Sequence, residues 1–340
     1  MPSNDHPRDK ASFTIRFDVP AGTTAIANGV QVSKTTWRGR TRYVFLQRQP
    51  MATELVQLAV GRYQLISRGV HDGIIVRDAI APSLAGLLAD KLPTETTHLD
   101  WRQEQVGDYP FDAYGSLVLD VTLGFALETQ TLSLYDKPWF DGTYGGRGVW
   151  EPTMVHELSH MWFGDSVAPY SWDDLWLNEG HATSYELNWA AANGELEEDI
   201  GFADFEELMQ VIYSLGDRYR AAFGPVGRPI SGEPSQLFSA QVYYGGALVL
   251  YALRQQVGEA AFRRIERAWV SRYRNGVTST QDFIALASAV SGQNLTTFLS
   301  DWVYGTKTPP MPGHPDWTVT PAGATARTLT APQELPFHRR

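Results

Sequence analysis

Two histidines, His156 and His160, stand four residues apart around Glu157, and a further acid, Glu179, follows after 18 intervening residues. On a helix, residues i and i+4 lie on one face, one above the other. Two imidazoles so placed can each point a ring nitrogen at one metal ion, at roughly 2.0–2.1 Å. Glu157 is next in sequence to His156, so its carboxylate is offset and reaches water at the metal without entering the coordination shell. Two His and one carboxylate leave a fourth position open, which marks a catalytic rather than a structural zinc site. The chemistry is metal-assisted hydrolysis. Zinc lowers the pKa of a water from about 15.7 to near 7, and Glu157 takes its proton and passes it to a leaving amine.

Two helices must position these groups. Pro152 and Thr153 suit a first turn, the run to Phe163 holds no breaker, and Gly164 is a natural stop, so a helix is expected over 152–163. Asn178-Glu179-Gly180 opens a second apolar-periodic stretch (Ala182, Tyr185, Leu187, Trp189), which puts Glu179 in a first helical turn facing back. An acid there also favours its helix N-terminus, which accounts for its location but not for its distance from His160. His181, two residues on, points elsewhere on that helix and reads as packing or support, not as a fourth ligand. Asp165, Asp173 and Asp174 are candidates for orienting the imidazoles, since a metal-bound His donates its other N–H to an acceptor. Trp162, Trp172 and Trp176 read as core and pocket wall.

His156-Glu157-Leu158-Ser159-His160, followed by Trp176-Leu177-Asn178-Glu179-Gly180 with eighteen residues between His160 and Glu179, resembles the aminopeptidase N and leukotriene-hydrolase family of zinc metallopeptidases, which are gluzincins. Three further segments agree in place and order. Gly124-Phe125-Ala126-Leu127-Glu128-Thr129 is similar to the family's G-A-M-E-N exopeptidase motif. It departs at three places but keeps the Gly, the Ala and the acid. Val242-Tyr243-Tyr244-Gly245-Gly246-Ala247 resembles V-Y-x-K-G-A, with Gly245 where Lys is usual, and Phe298-Leu299-Ser300-Asp301-Trp302-Val303 resembles the family's closing segment. The resemblance covers residues 12–312.

The resemblance implies one Zn2+ per chain on His156, His160 and Glu179, with Glu157 as general base. It implies Glu128, beside Gly124 and Ala126, as the carboxylate that pairs with a peptide's free α-ammonium group. Tyr243 is implied as the donor to the oxyanion that develops on the substrate carbonyl. Adjacent helical residues are turned about 100° apart, so only one of Tyr243 and Tyr244 can face the site, and the motif selects Tyr243. The rival reading of Tyr243 is simple packing, since 242–253 is an apolar helical run.

Composition agrees with a soluble enzyme. The 340 residues are 43% hydrophobic and 19% charged, enough to bury a large core. A formal charge of −10 and the lack of any basic run argue against a nucleic-acid partner. There is no cysteine, so neither disulfides nor thiolate metal sites are available. No apolar run approaches the roughly 20 residues of a membrane span. Met1–Lys10 is polar with no signal-peptide core, so the chain as it stands is expected to be cytoplasmic, or secreted if a segment precedes it.

The expected fold class is α+β. It comprises a partial N-terminal antiparallel β domain and then a thermolysin-like, mostly helical catalytic domain. The divisions are a disordered 1–11, the β domain 12–67, the catalytic domain 68–308 and a Pro-rich irregular tail 309–340. Alternation at Phe13, Ile15, Phe17 and Val19 marks a first strand. Asn28-Gly29 reads as a hairpin turn, and 43–46 and 55–60 as further strands. Strands are then expected at 74–76 and 117–123, and helices at 83–105, 202–223, 242–257, 259–273 and 280–291. Set beside the family, the β region is short and the large C-terminal helical domain of many members is missing. The sequence thus points to a zinc aminopeptidase acting on peptides with a free N-terminus. The alternatives are an endopeptidase of the same fold, a non-catalytic scaffold, and epoxide hydrolysis. No signal bears on oligomeric state.

Overall fold

A computed structural model describes residues 3–144, 148–197, 201–229 and 234–320. The first part of the chain forms β1 (Lys10–Pro20), β2 (Thr24–Ala27), β3 (Val30–Trp37), β4 (Arg40–Ala52) and β5 (Leu58–Gly61). β1, β4 and β3 make an antiparallel sheet with β4 in the middle, and β2 pairs with β5. The alternation in β1 works as expected, since Phe13, Ile15, Phe17 and Val19 are the less exposed residues of that strand. β1 starts inside the segment expected to be disordered. The ammonium of Lys10 holds it there, donating to the carbonyls of Asp165 at 2.7 Å and Ser166 at 2.9 Å. Asn28-Gly29 is not a hairpin turn, because β2 and β3 belong to different sheets. Gly29 instead passes against β4 at a φ of +76°, and a Cβ there would lie 2.2 Å from the Leu46 carbonyl oxygen.

A second sheet follows, from β6 (Gln64–His71), β7 (Ile74–Ile80), β8 (Ala113–Tyr114), β9 (Ser116–Leu119) and β10 (Ser133–Asp136). Its order is β10-β9-β7-β6, with β8 also on β7; β6 is antiparallel to β7, and the remaining pairs are parallel. One face carries Ala79, Leu117 and Leu134, which pack with Val19, Ile26, Tyr43 and Phe45 of the first unit. The other face contributes Val76, Ile80 and Val118 to a large core shared with the helices.

Those helices are α1 (Glu95–Val106), α2 (Lys137–Phe140), α3 (Trp150–His160), α4 (Trp176–Ala192), α5 (Phe205–Ser214), α6 (Gly216–Phe223), α7 (Ala240–Val257), α8 (Glu259–Arg272), α9 (Thr280–Ser291) and α10 (Thr296–Tyr304). α9 carries a capping box, in which Ser279 and Asp282 satisfy each other's backbone amides. Two expected helices are shorter than the sequence suggests. The stretch 83–94 forms separate turns, 3₁₀ at Pro82–Leu84 and Leu92–Thr94, and the helix starts only at Glu95, because Pro93 removes an amide and restricts the residue before it. The stretch 202–223 divides into α5 and α6 at Leu215, where Thr308 packs against Gly216. The strand expected at 117–123 ends at Leu119.

The final irregular segment is not simply surface-lying. Met311 and Trp317 are buried, and Trp317 stacks on Tyr251 with ring centres 5.9 Å apart. The rest of that stretch, 321–340, lies outside the described residues. No helix among the described residues is long and apolar enough to cross a membrane.

α4 and α7 cross at two glycines. A Cβ on Gly180 would sit 2.8 Å from backbone atoms of Gly246, and one on Gly246 would sit 2.8 Å from the Gly180 Cα. Only backbone stands in the way, so neither neighbour can rotate aside. Gly246→Ala is therefore expected to force the helices apart and destabilise the protein by about 1–3 kcal/mol, measurable by denaturant unfolding. The same variant should disturb Glu179, one residue from the crossing.

Candidate active site

α3 presents His156 and His160 on one face, and α4 packs across it. α3 ends at His160 rather than running on to Phe163. The carbonyls of His160, Met161 and Trp162 accept from the amides of Asp165, Ser166 and Val167, so the chain curls back at once. That turn has a use, because the Phe163 carbonyl comes within 3.1 Å of His160 Nδ1. His156 Nδ1 lies 2.7 Å from Glu186 Oε2 on α4. Both imidazoles thus donate Nδ1–H outward and turn Nε2 inward. Nε2 of His156 and Nε2 of His160 are 3.1 Å apart, and Glu179 Oε2 is 3.4 Å from the first and 3.3 Å from the second.

Three acceptor atoms in mutual contact, in side chains at most 4% exposed, repel one another unless protons or a cation stand between them. Ligands of a tetrahedral ion at roughly 2.0–2.1 Å are themselves about 3.3 Å apart, so the spacing and the donor set fit zinc. The acid–base balance agrees. Burial alone would lower both imidazoles, but Glu186 and Glu179 raise His156 well above the ordinary range, and Glu128 and Glu179 raise His160. Burial would raise Glu179, yet the two imidazoles hold it well below the usual carboxylate range.

Glu157 points to the same side from within α3. Burial pushes its carboxyl up to about 8, with the imidazoles opposing, and its Oε2 has no hydrogen-bond partner among the described residues. A carboxylate oxygen of Glu128, one of Glu157 and a ring nitrogen of His160 lie within 4.8 Å of one another. Tyr243 of α7 stacks on His156, with ring centres 6.0 Å apart and planes 18° from parallel. Its neighbour Tyr244 is buried on another side of α7. These groups line a cleft of about 520 Å³, whose other walls are Leu123, Gly124, Phe125, Ala126, Leu127, Trp139, Thr153 and Phe238.

Every residue singled out for chemistry therefore converges on one cleft: His156, Glu157, His160, Glu179, Glu128 and Tyr243, with Gly124 and Ala126 in its wall. The proposed orienting acids do not take part. Asp174 instead accepts from the Thr280 amide and hydroxyl, Asp173 is exposed, and Asp165 makes no side-chain hydrogen bond among the described residues. The orienting acid is Glu186, which stands seven residues after Glu179. Two helical turns put it on the same face, so a further acid at that spacing was the available signal. His181 is packing and support, stacked on Phe163 at 4.2 Å and bonded to the Leu177 carbonyl.

Removing Glu186 should free the His156 ring. Glu186→Ala is expected to weaken Zn2+ binding about 10–100-fold, read by competition with a metal indicator, whereas Asp174→Ala leaves it unchanged. Because both imidazoles are held protonated beyond their ordinary range, a divalent cation must displace protons on binding. Affinity should rise with pH, and calorimetry in two buffers of different ionisation enthalpy should count the protons released.

Residues 95–302 match the peptidase family M1 domain. Among named relatives, the chain is 30% identical over 323 residues to aminopeptidase N of Streptomyces lividans, covering 88% of this chain and 36% of that protein. It is 27% identical over 338 residues to leucyl aminopeptidase of Saccharolobus solfataricus, covering 95% and 41%. The chain thus spans well under half the length of these relatives. Among solved structures it is similar to the M1 zinc metallopeptidase from Deinococcus radiodurans, with a TM-score of 0.73, 31% identity, and coverage of 92% of this chain and 68% of that one. A point mutant of that metallopeptidase bound to a Tyr-Ser-Ala substrate gives a TM-score of 0.77 at 32% identity, covering 93% and 68%.

Proposed function

The chain belongs to peptidase family M1, and from that premise we propose that it is a zinc-dependent aminopeptidase that removes N-terminal residues from peptides. The observation that carries this reading is the placement of Glu128. It sets a carboxylate within 4.8 Å of both the base Glu157 and the ligand His160, where a free α-ammonium group would find its counter-charge. The names of the relatives, aminopeptidases in both cases, support it.

In this reading His156, His160 and Glu179 hold one zinc ion. Bound there, zinc supplies Lewis acidity toward water and toward the carbonyl oxygen of the scissile bond. Glu157 takes the proton of the attacking water on a carboxylate oxygen and returns it to the departing amide nitrogen. The Tyr243 hydroxyl donates to the carbonyl oxygen as it gains charge. Glu128 pairs with the α-ammonium group and fixes which bond meets the water. An acylated or interior amide has no cation to offer, and burying Glu128 against it leaves a carboxylate without a partner.

The test separates this enzyme from an endopeptidase and from a scaffold. Aminoacyl-arylamide hydrolysis should disappear on chelation and return with Zn2+. Glu157→Gln should lower kcat about 10²–10⁴-fold with zinc content unchanged; activity that survives in a zinc-loaded variant would remove the base assignment. The pH profile should follow the base. Glu157 works deprotonated and burial raises its pKa, so kcat/KM should fall as pH drops. The midpoint should lie between 4.5 and about 8, since the cation opposes the upward push. Peptides with a free N-terminus should be cleaved and N-acetylated ones refused, and Glu128→Gln should narrow that difference mainly by raising KM. Equal cleavage of both would make the enzyme an endopeptidase.

A further inference from the structure

Glu128 does not sit on a helix or within a strand ladder. It ends a strap, residues 120–128, that leaves the C-terminal end of β9 and crosses the mouth of the cleft, with Leu123 and Phe125 well exposed. Such a segment has few ways to hold a carboxylate within a fraction of an ångström. Among the described residues, two tethers hold the part of it nearest Glu128, beyond the Ser83–Asp120 bond at its start. One is a pair of backbone hydrogen bonds between Leu127 and Leu134, at 2.9 and 2.8 Å. The other is Asp136, at the end of β10. Its Oδ2 accepts from the Leu123 amide, from the Gly124 amide at 3.1 Å and from the Tyr144 hydroxyl at 3.0 Å.

Asp136 is an unusual residue to bury. It is 0% exposed, and its other oxygen, Oδ1, has no hydrogen-bond partner among the described residues. It precedes α2 at the N-cap position but makes no capping bond to that helix. Among the described residues, every hydrogen bond of its side chain goes to the strap or to the tyrosine beside it. A charged acceptor for backbone amides makes a stronger tether than a neutral one. The bonded amides lie four and five residues before Glu128, on the stretch that also gives the cleft Leu123 and Phe125.

We propose that Asp136 is a positioning residue for N-terminal recognition, a clamp on Leu123 and Gly124 that fixes the strap and with it the carboxylate of Glu128. Asp136 does not reach substrate; it acts through the strap. The role rests on the reading of Glu128 given above, so the test carries an arm that does not depend on it. That arm is hydrogen exchange of the Leu123 and Gly124 amides in the zinc-loaded protein. Asp136→Ala should speed their exchange about tenfold or more while helices α3 and α4 keep their protection. In kinetics with a free aminoacyl-arylamide, the same variant should raise KM about tenfold with kcat within about threefold. It should also shrink the preference for free over N-acetylated peptides. Asp136→Asn keeps one acceptor oxygen and should recover most of both effects. A merely structural role would lower stability and kcat together and leave the preference intact.

Unchanged exchange at Leu123 and Gly124 in Asp136→Ala overturns the clamp, and so does fast exchange with KM and the free-to-acetylated ratio both at wild-type values. If the wild-type enzyme itself shows no preference for a free N-terminus, the fault lies with the role given to Glu128. The exchange arm then decides the clamp alone.

Discussion

Two imidazole nitrogens and a carboxylate oxygen are held in mutual contact inside the protein, and the surrounding structure keeps them there against their own repulsion. Such a cluster collapses or turns to water unless its members are fixed from behind. The fixing groups are Glu186, which accepts from one ring, and the Phe163 carbonyl, which accepts from the other. The Phe163 carbonyl arrives through the turn that ends α3, and Glu186 arrives because α3 and α4 lie in close contact. That contact requires α4 to meet α7 at Gly180 and Gly246 with nothing but backbone between them. The line runs from a missing Cβ, through a helix crossing, to the direction of a lone pair.

The cleft has two ends of different construction. The histidine end comes from regular helices and their core, and its geometry is local in sequence: 31 residues, from His156 to Glu186, supply both rings, Glu157, Glu179 and the acid bonded to His156. The Glu128 end is a strap and a loop. Its carboxylate is steadied upstream by Asp136. Just downstream, the carbonyl of Gln130 accepts from Asn28, while the hydroxyl and carbonyl of Thr131 bond to the Gly29 amide and to Arg77. In the proposed reading, the chemistry belongs to one part of the chain and the discrimination to contacts between several.

That division matches what the sequence discloses. His156, Glu157, His160 and Glu179 are legible because a 3.6-residue period and one ligand spacing tie them together, and the flanking motifs bring in Glu128 and Tyr243. Glu186 is harder to see, since an acid inside a helix usually faces water. Its meaning appears only once Glu179 is seen beside the two rings. The failures are of another kind. Pro93 breaks the expected helix at 83–105 where local propensity favoured a single run. Asn28-Gly29 suits a tight turn, but which strands it joins depends on partners far away in the chain. Asp136 carries no motif, because its partners on the strap are backbone amides and any sequence can supply those.

The docking of Asn28 and Gly29 on the loop after Glu128 has a consequence for how the protein folds. The residues that meet are 102 apart in sequence. Closing so long a loop is entropically costly and kinetically slow, while helices and hairpins form from near neighbours. The paired helices that carry the ligands can mature early. The loop beside Glu128 reaches its final shape only when the first β unit has closed on it. During folding, then, the cluster of His156, His160 and Glu179 takes shape before the loop that steadies Glu128, and in the proposed reading the means to cut precede the means to choose where.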